Sequence, residues 1–377
     1  MSKEKKKFKL IQVIPVIIFM IIGGVCGVLG AKYIDDNNYG FMGFILTILM
    51  LYAAILIKII IHEGGHLIFG LLSGYKFSSF RIFNFMLIKE EGKFKLKNLS
   101  LAGTGGQCLM SPPDIINGKI PYKLYNLGGS ILNVVASAIF LGIYAIWPDV
   151  QGFSIFLLIL SIVGITFAFM NGVPMRLGII DNDGYNALSL GKNSSALKAF
   201  WIQLKINELA SKAVRLKEMP DELFLIPNDE DMKNSMVAAS GVFTCNRLID
   251  EHKFEEAQKL INKFLASDTA IIGLHRNLLI CDEIFCKIIL GNKKEEIDSL
   301  FNKEQKKFIK SMKKFPSVVR TEYVYALLVE EDKNKADKIK NTFNKISKTY
   351  PYKSEIESEY ELIEIAYDKY NKVEETI

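Results

Sequence analysis

Residues 41 to 72, FMGFILTILMLYAAILIKIIIHEGGHLIFGLL, are apolar enough to cross a bilayer, and near their C-terminal end they carry His62, Glu63 and His66 as HEGGH. At about 1.5 Å rise per residue such a run is more than long enough to span a hydrocarbon core of about 30 Å as a helix. A carboxylate at membrane depth costs about 2.5–3.5 kcal/mol on insertion scales, so an acid flanked there by two histidines marks a site by default. On a helix, positions 62 and 66 stand one above the other on one face, the spacing at which two imidazoles can share a metal ion. Glu63 lies beside that face, where it could take a proton from a zinc-bound water. Two of the four histidines in the chain sit here, and buried histidines and a buried glutamate are hard to explain as packing.

The rest of the 377 residues divides into two unlike halves. The first 190 residues hold the long apolar runs, and the remainder is rich in Lys and Glu, as solvated helices are. Two modules are therefore expected. The net charge of +6 is modest, and no Arg-rich or aromatic-interleaved patch points to nucleic acid. The five cysteines are odd in number and scattered, which argues against a disulfide framework. Cys281 and Cys286 lack a second pair or a nearby histidine and read as buried thiols rather than metal ligands. His252 and His275 have no partner pattern and read as surface or packing residues.

The fold class expected is mainly α: a polytopic membrane core of about four spans, with a small β-hairpin in a cytoplasmic loop, followed by a cytoplasmic α-helical array. The basic start MSKEKKKFK and the apolar residues 10 to 33 predict a retained first span with its basic end in the cytoplasm. The chain then turns back, so HEGGH falls near the cytoplasmic end of the second span. Eight Lys and Arg residues between 73 and 125 agree with a cytoplasmic loop, in which FRIFNFMLIKEEGKFKLKNLSL predicts short strands around EEGK. The glycine-rich AGTGGQCLM that follows fits either a re-entrant element or an ordinary turn-rich loop. Residues 126 to 147 and 153 to 170 predict the third and fourth spans, joined by PDVQG, which lacks Lys and Arg as an outer loop should. The expected domains are 1–39 (basic segment and first span), 40–190 (catalytic membrane core), 191–234 (helical linker) and 235–377 (helical hairpins). Both termini are expected in the cytoplasm of a multi-pass cell-membrane protein, and the abundance of Lys, Ile and Asn points to a bacterium with an AT-rich genome.

Two histidines leave a catalytic zinc one protein ligand short. Asn171, Pro174, Asp181 and Asp183 come at the end of the fourth span, on the side where HEGGH ends, and either Asp183 or Asp181 could supply the missing carboxylate. Read by itself, DNDG is also an ordinary helix-ending turn with an N-cap. Gly64 and Gly65 could let an extended chain approach the metal or simply let helices pack closely. In the second half, MVAASGVFTCNRLIDEHKFEEAQKLINKFL and RTEYVYALLVEEDKNKADKIKNTFNKI each join two helical patterns by a short polar turn, with Ala257 and Ala336 at similar places. Residues 235 to 370 thus look like a degenerate array similar to tetratricopeptide repeats, with a plain helical bundle as the alternative.

HEGGH inside a span, GGSILN with Asn133, and NGVP followed by DNDG at the end of a later span together resemble the site-2 proteases, which are intramembrane zinc metalloproteases. The resemblance covers residues 40 to 190 and rests on three ordered motifs. It implies Zn2+ held by His62, His66 and Asp183, with Glu63 as general base. It also implies substrate contacts from Asn171 and a membrane-bound protein or peptide as substrate, and Asn133, Gly64 and Gly65 are further candidate substrate-binding residues. Two departures stand out: Asn182 replaces the usual Leu before Asp-Gly, with Asp181 as a competing ligand, and Ser130 follows the glycine pair where Pro is frequent. No PDZ-like stretch is visible between the spans. The segment 100 to 108, SLAGTGGQC, could offer an edge strand to a substrate.

Two other readings compete. A different HExxH peptidase would take a Glu ligand from a downstream helix, for which Glu208, Glu218 and Glu222 are the nearest candidates. A non-catalytic membrane scaffold would act through the C-terminal helices, where a regulatory protein partner is expected on either reading.

Overall fold

The computed structural model describes residues 17, 20–32, 40–90, 92–99, 104–148, 152–175 and 181–374. The N-terminal lysine cluster, most of residues 10 to 19 and the loop after the first helix lie outside the described residues. Of the expected first span, α1 (Met20–Lys32) is described and is helical. Three longer helices are long and apolar enough to cross a membrane: α2 (Gly40–Leu72), α3 (Tyr122–Ile146) and α4 (Phe153–Gly172). A short helix, α5 (Asp183–Ser189), follows α4.

The chain forms two compact units that interleave along the sequence. The first comprises residues 1–77, 105–108 and 113–193. In it α2, α3 and α4 pack against one another, and their contact is set by small residues. A Cβ built on Gly65 would lie 2.2 Å from the Gly128 carbonyl oxygen, and one on Gly128 would lie 2.5 Å from the Gly65 oxygen. The backbones of α2 and α3 therefore touch directly, as they can only where neither side chain intervenes. Apolar Ala54, Leu157, Leu160 and Val163 fill the space farther along the bundle.

The same bundle buries a cation. Lys58, one turn before His62, is fully buried, and its Nζ donates to Ser137 Oγ at 3.0 Å and lies 4.7 Å from the centre of the Phe140 ring. Gly164 on α4 makes room for it, since a Cβ there would fall 2.4 Å from Nζ. Ser161 Oγ donates to the Ser137 carbonyl, so a chain of polar contacts joins the three helices at this level.

The second unit comprises residues 78–104, 109–112 and 194–377. The four-stranded sheet has the order β3-β2-β1-β4, from β1 (Lys76–Ile82), β2 (Phe85–Glu90), β3 (Lys93–Asn98) and β4 (Gly106–Ser111). The hairpin expected around EEGK is there: β2 and β3 are antiparallel with Leu87 opposite Leu96, and Gly92 takes the left-handed φ of 78° that the turn requires. The loop holds more than that hairpin, since β1 pairs antiparallel with β2 through a two-residue turn and the glycine-rich run becomes β4 at the other edge. Met86 and Ile88 point from β2 into the core of this unit, alongside Ile202 and Ile206 of α6 (Ser194–Ser211).

That core continues through α7 (Ser235–Asp250), α8 (Phe254–Ala266), α9 (Gly273–Leu290), α10 (Lys294–Asp298), α11 (Lys303–Ser311), α12 (Pro316–Leu328), α13 (Lys333–Ser347) and α14 (Lys353–Glu374). Helices α7 and α8 pack as a pair, as do α12 and α13, and Ala257 and Ala336 are both fully buried within those pairs. Glu90 accepts from Lys95 at 2.9 Å and Lys353 at 2.5 Å, which ties the hairpin to α14. Deeper in, Arg320 is fully buried, donates to Asp282 Oδ1 at 2.6 Å, pairs with Glu359 at 3.3 Å and stacks over Phe285.

Candidate metal centre

Helix α2 and the first residue of α5 bring three atoms that could ligate a metal to one point. His62 Nε2 lies 3.1 Å from Asp183 Oδ2, His66 Nε2 lies 3.3 Å from the same oxygen, and the two imidazole nitrogens are 3.2 Å apart. Three ligands on a tetrahedral ion at about 2.0–2.1 Å would be separated by about 3.3–3.4 Å. The triangle is thus close to the size of a zinc site. Two lone-pair nitrogens and a carboxylate oxygen this close favour a shared cation, and His62, His66 and Asp183 form the one such group found among the described residues.

The orientation of each ligand has a local cause. His66 Nδ1 sits 2.7 Å from the Tyr125 carbonyl, which can only accept, so Nδ1 carries the proton and Nε2 is left free for a metal. The Tyr125 hydroxyl in turn donates to the Cys108 carbonyl. The His62 ring packs against α3 at Gly129, where a Cβ would fall 2.5 Å from Nδ1. Any larger residue at 129 would displace the ligand.

Asp183 is placed by its neighbours on both sides. Asn182 Oδ1 accepts from the Tyr185 and Met175 amides, and its Nδ2 donates to the Met170 and Val173 carbonyls. One buried side chain thereby caps α5 and fastens it to the end of α4. A Cβ on Gly184 would lie 2.1 Å from the Gly172 oxygen, so the Asp-Gly pair is required by the close approach of the two segments. Burial raises the Asp183 carboxyl, but the charge of a protonated His66 and the hydrogen bonds from His62 and His66 outweigh that and hold it well below the usual carboxylate range.

Glu63 is buried beside this group. Gly106, the first residue of β4, packs on it so closely that a Cβ would fall 2.6 Å from Glu63 Cγ and Oε1. The other expected residues sit around the centre. Gly65 lies in the α2–α3 contact, and Gly64 is half-buried with Leu132 4.0 Å from where its Cβ would be. Asn133 is fully buried one turn along α3 from Gly129 and donates to the Lys58 carbonyl at 3.4 Å. Asn171 Nδ2 donates to Phe167 O within α4. Ser130 lies against Gly172. Of the two aspartates, Asp183 joins the histidines and Asp181 is outside the group. Among the downstream glutamates, Glu208 is held by Lys205 and Lys212, and Glu218 accepts from the Arg215 amide.

Gly106, Tyr125 and Lys58 are residues whose part in the site sequence reasoning passed over, and Gly129 and Asn182 were noted there only for helix packing and as a departure from Leu. The glycines had a signal, since each falls in a glycine-rich motif; Tyr125 acts through its backbone and has none. A Cβ at 65 must push apart two touching backbones, so Gly65→Ala should cost about 1–3 kcal/mol or more, in line with overpacked cores. A melting curve in detergent checks this.

Comparison with models of known families, with curated proteins and with solved structures yields no match.

Proposed function

We propose that this chain is an intramembrane zinc metallopeptidase of the site-2 protease type, cleaving a peptide bond in a membrane-embedded or membrane-associated protein or peptide. The observation that carries the reading is the convergence of His62, His66 and Asp183 within 3.1–3.3 Å of one another, at the end of a helix apolar enough to cross a bilayer and with Glu63 beside it. A zinc ion bound there supplies polarisation of the scissile carbonyl and an acidified water.

The residues of the chain then have distinct tasks. Glu63 takes the proton of the attacking water on its carboxylate and returns it to the leaving amine nitrogen. Tyr125, through its carbonyl, fixes the His66 tautomer, and Asn182 holds Asp183 at the turn. Gly106 and Gly129 leave space for Glu63 and His62. A helical substrate hides its carbonyls in internal hydrogen bonds and must unwind before Glu63 can act on it. Asn171, near the end of α4, is suited to hold the unwound chain, and β4, an edge strand of the sheet, is suited to pair with it. The N- and C-termini face the cytoplasm in this reading, and the C-terminal helices offer their surface to a regulatory protein partner.

The test is a pair of measurements on detergent-purified protein. Wild type should contain about one zinc per chain, and Glu63→Gln should keep that zinc while losing about 10²–10⁴-fold in peptidase activity, the span general acid–base groups contribute. Wild-type protein that is folded and free of zinc would sink the proposal and favour a scaffold role.

A further inference from the structure

The outer face of the sheet is apolar where the second unit is otherwise polar. Strand alternation sends Met86 and Ile88 inward and leaves Phe85 and Leu87 on the other face, level with Leu96 and Phe94 of β3. Phe85 is 63%, Leu96 69% and Phe94 62% exposed, and Phe83 in the adjoining turn is 49% exposed. Across residues 194–374, by contrast, the exposed large hydrophobic residues among those described are Leu225 and Ile226. An apolar patch concentrated on one sheet face marks a surface that something covers.

Two features identify what covers it. The first is the tether: β1 begins at Lys76, four residues after the last residue of the candidate span α2, Leu72, so the sheet starts within about 13–14 Å of the end of that helix even at full extension. The second is charge. Lys89 shares the outer face with Phe94, Lys76 stands exposed at the same end of the sheet, and the nearby acid Glu90, on the inward face, is already neutralised by Lys95 and Lys353. An apolar face with a cationic rim at the end of a spanning helix is the composition of an interfacial membrane anchor.

We infer that this sheet face lies in the headgroup region of an anionic leaflet, with Phe85, Leu87 and Leu96 toward the acyl chains and Lys76 and Lys89 among the lipid phosphates. The inference rests on the spans and the sheet and is independent of the metal site.

The test uses the full chain in nanodiscs containing anionic phospholipid. An environment-sensitive fluorophore is placed at Leu96→Cys or Phe85→Cys, and for comparison at Lys338→Cys, an exposed position on α13. The unsubstituted chain gives the background, since all five native cysteines are buried. A sheet on the bilayer predicts blue-shifted emission at 96 and 85, loss of iodide quenching and gain of quenching by spin-labelled lipid, with the reverse at 338. Iodide quenching at 96 and 85 equal to that at 338 would overturn the inference. So would protection from both quenchers, because the face would then be covered by protein.

Discussion

On the metallopeptidase reading proposed above, replacing Asp183 with alanine is expected to strip zinc from the protein, whereas Asp181→Ala should retain about one zinc per chain. Two histidines alone hold zinc far less tightly than three protein ligands, and even the loss of an outer-shell partner costs about 10–100-fold in affinity. The loss of a directly bound carboxylate should exceed that. Metal analysis after dialysis against a weak chelator separates the variants, and Asp183→Ala should lose peptidase activity with its zinc. The distinction is sharp because the two residues are only two apart in sequence, yet Asp183 alone of the pair has its carboxylate against His62 and His66. Retention of zinc by Asp183→Ala would remove that residue from the site.

The second large effect is expected far from the metal. Arg320→Leu should cost the second unit about 3–5 kcal/mol near pH 8, the range for breaking a buried ion pair and leaving its partner charged. Asp282 and Glu359 would be that partner. The loss should shrink toward pH 5. Burial pushes the Glu359 carboxyl up to about 7 against the opposing pull of Arg320, and it pushes Glu355 to about 7 against a hydrogen bond from Tyr350. Their folded values lie above the unfolded value of 4.5, so the fold binds more protons than the unfolded chain between these limits. The stability they contribute is present below about pH 4.5 and declines as pH rises through 7. Opposing this in acid, Arg215 and Lys217 hold Glu361 down to about 2, and that half-exposed pair contributes less. Glu359→Gln should therefore raise the urea midpoint at pH 8 and flatten its pH dependence. Trp201 emission in a Trp147→Phe background reads this directly, since Trp201 packs against the core of this unit.

The grouping of His62 and His66 with an aspartate after α4 was legible in the sequence, down to a choice between Asp181 and Asp183, because these are residue types that an apolar segment does not carry without cause. HEGGH in an apolar run and DNDG at the end of another are each conspicuous, and the i, i+4 spacing fixes the geometry of the first. What holds those residues was not legible. Asn182 stood out only as a departure from Leu, and its four hydrogen bonds depend on where α4 stops. Lys58 is a single polar letter inside a hydrophobic segment, and nothing local foretells that Ser137, Phe140 and Gly164 meet it from two other helices. The hairpin at EEGK followed from alternation and a glycine. The pairing of β1 and the fate of the glycine-rich run did not, since these are long-range choices made by the core at Met86 and Ile88.

The division of the chain bears on how such a protein could be taken apart or acquired. The path of the backbone passes between the two units at 77–78, 104–105, 108–109, 112–113 and 193–194. The helical half is therefore no detachable appendage. A stop codon near residue 193 would leave strands 78–104 without the helices that cover Met86 and Ile88. β4 itself straddles the division, contributing Gly106 to the first unit and Leu109 to the second. Gly106, the residue packed on Glu63, and Leu109 of the helical unit are thus only three peptide bonds apart along the chain.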